Sequence, residues 1–149
     1  MQRLTYVLQF HRPASSGGEE PPTTGPGAVL TTRLQADGMH GELEAITGGR
    51  TATLDLTFAQ PEDKTLFYES GTLAIGDDDD SSLVFSSIGA GTIDPSAGED
   101  GFTHGTVMYA IESGTGRFEG AGGRITSNFL IDLASGELID THLGIINLP

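Results

Sequence analysis

Apolar and polar positions alternate with a period of two along most of the chain. Leu4, Tyr6, Leu8 and Phe10 alternate with Thr5, Val7, Gln9 and His11, and Ala52, Leu54, Leu56 and Phe58 alternate with Thr51, Thr53, Asp55 and Thr57. Met39, Gly41, Leu43 and Ala45 alternate with His40, Glu42 and Glu44 in the same way. This is the signature of half-buried strands, apolar side inward. The pattern predicts eight or nine strands, near residues 3–11, 27–36, 39–47, 51–59, 65–75, 82–93, 103–112, 124–133 and 137–147. Turn signals separate them: Gly48-Gly49, Gly76-Asp77, Asp94-Pro95 to Gly101, and Ser135-Gly136, where glycine tolerates a positive φ. A short helix is expected within Phe118–Gly123, and a mobile loop within Pro13–Pro26, which is rich in Pro, Gly, Ser and Glu.

Short connections favour antiparallel neighbours. A meander of this length closes into a barrel because closure removes exposed edges. The expected fold is therefore all-β: one domain over residues 1–149, an eight-stranded, at most nine-stranded, antiparallel up-and-down β-barrel. Eight strands enclose packed side chains or one small ligand. Three strands are apolar on both faces: Phe67, Leu73 and Ile75 oppose Leu66 and Tyr68; Ile125, Phe129 and Ile131 oppose Leu130; Ile139, Leu143 and Ile145 oppose Ile146. One face can line the barrel, and a homo-oligomer contact is the simplest partner for the other.

Composition narrows the function. Seven Lys and Arg stand against 21 Asp and Glu, for a net charge of −14, which disfavours nucleic acid and anionic membrane surfaces. The absence of cysteine removes disulfides, thiolate metal sites and cysteine nucleophiles. No apolar run reaches the ~18 residues of a membrane span, and Met1–Pro13 makes a poor signal peptide, so a cytoplasmic location is expected. The histidines lack metal-ligand spacing and no phosphate-cradling motif follows a strand. Neither a metal nor another cofactor is expected. Asp77–Asp80 offers oxygen ligands to a cation, but like charges in a row favour a solvated hairpin tip.

The most distinctive segment is Gly114-Thr115-Gly116-Arg117-Phe118-Glu119-Gly120-Ala121-Gly122-Gly123. It resembles the G-x-G-x-F-E-G-A-x-G stretch of plant allene oxide cyclases and, more loosely, the G-T-G-x-F stretch of dirigent proteins. Ile75-Gly76-Asp77 similarly resembles the F-G-D hairpin of the cyclases. Locally, the glycines allow a tight strand exit, Phe118 is placed to plug the barrel end, and Glu119 to cap nearby amides. The resemblance covers roughly residues 65–133. It implies an eight-stranded barrel with an apolar cavity, assembled as a dimer or trimer, that folds a flexible substrate into one conformer. One lysine against six arginines suggests a bacterial member. Leu8 and Phe10 stand where the cyclases carry a catalytic Glu and Asn, so no residue of that reaction carries over there.

Several residues can carry chemistry. Tyr6, Tyr68 and Tyr109 lie on the apolar parity of their strands. Each is either ordinary packing or a phenolic donor for a ligand carbonyl or enolate. Glu69 shares the parity of Phe67 and Leu73. It is either an exposed strand residue or an interior acid with a raised pKa. Asp140 and His142, two apart, form an acid–imidazole pair if they face the cavity, although apolar alternation favours Leu143 and Ile145 inward and His142 outward. Ser127 shares the parity of Ile125 and Phe129 and should face inward, with Asn128 outward, or inward if a bulge intervenes at Gly122-Gly123. It has no placed base, so it is not a nucleophile.

The expected catalytic set is Tyr68, Tyr109, Glu69 and His142, and the expected ligand-binding set is Tyr6, Phe10, Leu54, Leu56, Ser127 and Phe129. Together they suggest a cofactor-independent cyclase or isomerase for an apolar, flexible or unsaturated metabolite of bacterial secondary metabolism. The rival is a non-catalytic carrier of a small hydrophobic ligand. An ionisable group buried beside a hydroxyl separates the two, because a carrier needs almost no polar interior.

Overall fold

The computed structural model describes residues 2–14, 23–35, 38–45, 51–75, 80–94, 96 and 101–149, with the backbone course alone for 23–35, 38–45 and 51. The strands are β1 (Gln2–Arg12), β2 (Thr23–Gln35), β3 (Gly38–Ala45), β4 (Thr51–Ala59), β5 (Leu66–Ile75), β6 (Ser82–Ser87), β7 (Gly91–Ile93), β8 (Thr103–Gly114), β9 (Gly122–Ile131) and β10 (Leu138–Leu148). All pairings are antiparallel. They form a closed circuit, β1–β10–β9–β8–β6–β5–β4–β2 and back to β1. Eight strand positions make the wall, as the alternation predicts. β7 follows β6 between the same neighbours, β5 and β8. The first part of β2 pairs with β4, and its later part pairs with β3.

The core lies inside this wall. Tyr6, Leu8 and Phe10 of β1, Leu54 of β4, Phe67 and Leu73 of β5, Leu83 and Phe85 of β6, Tyr109 of β8 and Ile125 of β9 are all buried. Glycines at three wall positions make room for rings: a Cβ at Gly144 would enter the Tyr6 ring, at Gly105 the Phe129 ring, and at Gly91 the Phe67 ring. One barrel end is closed by a 3-10 turn, Gly116–Phe118, with Phe118 buried. There the Arg117 guanidinium donates to the Ile75 carbonyl at 2.7 Å, and the Arg117 amide donates to the Ser81 hydroxyl at 3.2 Å.

Some boundaries differ from the pattern. The expected 82–93 strand is two strands, with a register shift at Val84/Phe85 and exposed residues 88–90 between them. The helix expected within Phe118–Gly123 is instead the preceding 3-10 turn, because Gly116, Gly120 and Gly123 take positive φ (56°, 72° and 146°) and interrupt helical geometry. Glu119 is exposed there and contributes its backbone N–H, which donates to the Gly116 carbonyl. The last four residues of the expected 13–26 loop belong to β2, drawn into the sheet by pairing with β4, while 15–22 lie outside the described residues. Gly48-Gly49, Gly76-Asp77, Pro95 and Asp77–Asp79 also lie outside them, and Asp80 is exposed. The Ser135-Gly136 turn forms as expected, with Asp132 accepting from the Ala134 amide and the Ser135 hydroxyl. No helix among the described residues is long and apolar enough to cross a membrane.

The ring seats give a direct check on the packing. Gly144→Ala should lower stability by about 1–3 kcal/mol, since an added methyl in a filled core forces its neighbours off their rotamers. Gly89→Ala, where a Cβ meets open space, should stay within about 0.5 kcal/mol. Urea midpoints at constant slope measure both. A Gly144→Ala protein as stable as wild type would show that the Tyr6 ring is not seated there.

Candidate active site

The polar interior begins with strand register. In an antiparallel pair, directly opposed residues share a face. Tyr6, Leu8 and Phe10 oppose Gly144, His142 and Asp140 of β10. On its other edge β10 opposes Ile125, Ser127 and Phe129 of β9 to the same three residues. Inward-facing neighbours on both sides carry Asp140, His142 and Gly144 inward. Asp140 and His142 are 2% and 0% exposed, whereas Leu143 and Ile145 are 44% and 40% exposed. The expectation that apolar alternation turns His142 to solvent is thus overturned.

Once inside, the polar groups find one another. The Ser127 hydroxyl donates to Asp140 Oδ1 at 2.6 Å, and His142 Nε2 lies 2.9 Å from Asp140 Oδ2. In the tautomer that donates from Nε2 to the Asp140 carboxylate, which only accepts, the lone pair lies on Nδ1. Ser127 is therefore a support for Asp140, with its own proton committed to the carboxylate. The imidazole is held by aromatic rings, Phe10 at 4.9 Å and Tyr109 at 6.0 Å between centroids.

A second pair stands nearby. The Tyr109 hydroxyl donates to Glu69 Oε2 at 2.5 Å. Phe67 and Leu73 face inward on β5 and bring Glu69 with them. Between the β6 and β7 pairings, Tyr68 and Glu69 have no ladder partner on that edge, and the Glu69 amide donates to the Ser87 hydroxyl at 3.1 Å instead. Glu69 is half-buried at this break in the wall. Burial pushes its carboxyl pKa up and the Asp140 charge adds to this, while the Tyr109 hydrogen bond and the Arg12 charge pull it down. Burial, then the neighbouring Glu69 carboxylate, pushes the Tyr109 phenol up. The result is a phenol kept protonated, donating to a carboxyl that takes up a proton more readily than usual.

Of the other expected residues, Tyr6, Phe10, Leu54, Ser127 and Phe129 are buried, and Leu56 packs against the core. Tyr68 is the exception. It is 48% exposed, because the inward parity of Phe67 and Glu69 turns residue 68 to the outer face. Asp140 was recognised in the sequence only as the partner of His142. Its inward companions Leu138 and Ile146 are a sequence signal that points the same way.

The raised Glu69 pKa has a stability consequence. A carboxyl whose folded pKa exceeds its unfolded value stabilises below the unfolded pKa, and that stabilisation is lost as pH rises through the folded pKa. Glu69→Gln cannot ionise, so its stability relative to wild type should rise with pH above roughly 4 and be smallest below it. Thermal melts of both proteins across pH test this. A difference independent of pH would show that Glu69 titrates as it does in the unfolded chain.

No family model and no curated protein matches the chain. Its structure is similar to the solved structure of a pterocarpan synthase dirigent protein, at 16% sequence identity and a TM-score of 0.53, over 97% of this chain and 84% of that one. At that identity the likeness bears on architecture: the chain has a dirigent-like β-barrel fold.

Proposed function

We propose that this protein is a cofactor-independent cyclase or isomerase, an allene-oxide-cyclase-like bacterial barrel that takes an apolar, flexible or unsaturated metabolite. The observation that carries the reading is the 2.5 Å Tyr109–Glu69 hydrogen bond beside the buried Ser127–Asp140–His142 cluster. Ionisable groups inside a barrel cost stability, and an apolar core of similar volume would hold the fold as well. A carrier of hydrophobic ligands has no use for them, whereas an acid–base site does. In this reading Glu69 and Tyr109 move a proton, Asp140 orients His142, and Phe10, Leu54, Leu56 and Phe129 shape the ligand. Restricting a flexible substrate to one reactive conformer lowers the barrier further.

The test uses a panel of unsaturated epoxides and hydroxy-enones bearing flexible alkyl chains, with products separated by chiral chromatography. Wild type should form one cyclised or isomerised stereoisomer in excess. Glu69→Gln and Tyr109→Phe should each slow it by about 10²–10⁴-fold. Binding without turnover, or equal rates in wild type and both variants, would leave the carrier reading in its place.

The same reading includes a homo-oligomer, a dimer or trimer, in the cytoplasm. Its support is the outer face of β8, β9 and β10, where Met108, Leu130, Leu143 and Ile145 are each at least 40% exposed. Sedimentation equilibrium should give a multiple of the 15.5 kDa chain mass, and a monomeric mass would remove this part of the proposal.

A further inference from the structure

Two buried side-chain polar atoms among the described residues have no hydrogen-bond partner: Tyr6 Oη and His142 Nδ1. Every other polar side-chain atom of the inner cluster is engaged or partly exposed, so these two stand out. They lie on adjacent strands of one wall. Tyr6 opposes Gly144, two residues along β10 from His142, which makes Tyr6 and His142 diagonal neighbours on the inner face, a spacing that long side chains span. The Tyr6 ring rests over Gly144, as the collision of any Cβ there with that ring shows. Its hydroxyl is therefore carried across β1 toward β10.

The two atoms differ in kind. The Tyr6 phenol is pushed up by burial and by the charge of Asp140, so it stays protonated and offers a donor. In the tautomer that donates its Nε2–H to Asp140, His142 offers the Nδ1 lone pair, an acceptor. Resting on the proposed function of this interior, the geometry points to a subsite for a ligand hydroxyl, which accepts from Tyr6 Oη and donates to His142 Nδ1. A ketone or ether oxygen answers Tyr6 and leaves Nδ1 facing a lone pair. A hydrocarbon answers neither. The substrate class is thereby narrowed to apolar molecules that carry an alcohol, phenol or enol, and the hydroxyl proton lies on the nitrogen best placed to remove it. In this role Tyr6 positions the ligand, and His142 is the group that touches the reacting proton.

Three probes of one shape separate the contributions: 2-naphthol, 2-methoxynaphthalene and 2-methylnaphthalene. The chain has no tryptophan, so naphthalene fluorescence reports binding with little protein background. In wild type, 2-naphthol should bind about 5–10-fold more tightly than the ether, and the ether about 2–10-fold more tightly than the hydrocarbon. Tyr6→Phe keeps the ring over Gly144 and should abolish the ether's advantage over the hydrocarbon, while 2-naphthol keeps its advantage over the ether. In ¹⁵N spectra, the His142 Nδ1 resonance, assigned by its loss in His142→Gln, should move with 2-naphthol and not with the ether. Equal binding of all three probes, as expected if a tightly held water answers both atoms, overturns the hydroxyl subsite and leaves the proposed function standing. So does a Tyr6→Phe protein with the wild-type order of affinities. Binding of none of them overturns the subsite and the proposed function together.

Discussion

The pairing of β1 with β10 is the constraint on which the interior depends. β1 is a strand whose apolar stripe, Tyr6, Leu8 and Phe10, has one favourable direction, into the barrel. Its register opposes Gly144, His142 and Asp140 to that stripe. A slip by one residue would place Leu143 and Ile145 inside and turn the acid and the imidazole to water. Gly144 helps hold the register, since the Tyr6 ring occupies the space where any other residue would place its Cβ. The polar site is thus positioned by an apolar strand, and the specificity of that pairing is steric as much as hydrophobic.

Having been carried inside, the polar groups persist because nearly all of them are satisfied. Both oxygens of Asp140 have partners, Ser127 on one and His142 on the other. Removing either partner would leave part of a buried carboxylate unanswered, and unpaired buried charge is among the most costly features a fold can carry. Glu69 meets the same requirement with Tyr109, and its place at the break between β6 and β7 leaves it half-exposed. The two pairs therefore differ in access. Asp140 and His142 are buried, with Phe10 and Tyr109 against the imidazole, while Glu69 is partly exposed. In the proposed reading a fixed, buried imidazole stands at one point and a carboxyl able to exchange its proton at another.

The two ends of the barrel are built from different material. At one end the glycine-rich segment reverses through positive-φ glycines, tucks Phe118 into the opening and ties Arg117 to the Ile75 carbonyl. This accounts for the conspicuous motif in local terms, without giving it a part in chemistry. Toward the other end lie Phe10, Phe67 and Phe129. Phe67 meets Phe129 edge-on at 5.6 Å and stacks at 5.5 Å on Phe58, which is itself 49% exposed. Of these four rings Phe58 alone is exposed, and the other three are buried.

Much of this was legible in the chain alone. Period-two alternation determines the all-β class, most strand boundaries and the inward faces of β1, β4 and β9, because burial of one face acts on each strand separately. The Gly114–Gly123 segment announces the closed barrel end, because positive φ and a lone apolar residue are local requirements. Strands apolar on both faces, or polar on the face that turns inward, are another matter. In β10 the sequence offers Leu143 and Ile145 to the core, and the tertiary structure declines them, because a strand paired on both edges takes its facing from its neighbours. In β5 it turns Tyr68 outward and Glu69 inward for the same reason. The division of β6 from β7, the meeting of Glu69 with Tyr109 and the convergence of Ser127, Asp140 and His142 each join residues from different strands. Only closure of the sheet decides them, since contacts across a barrel have no period along the chain.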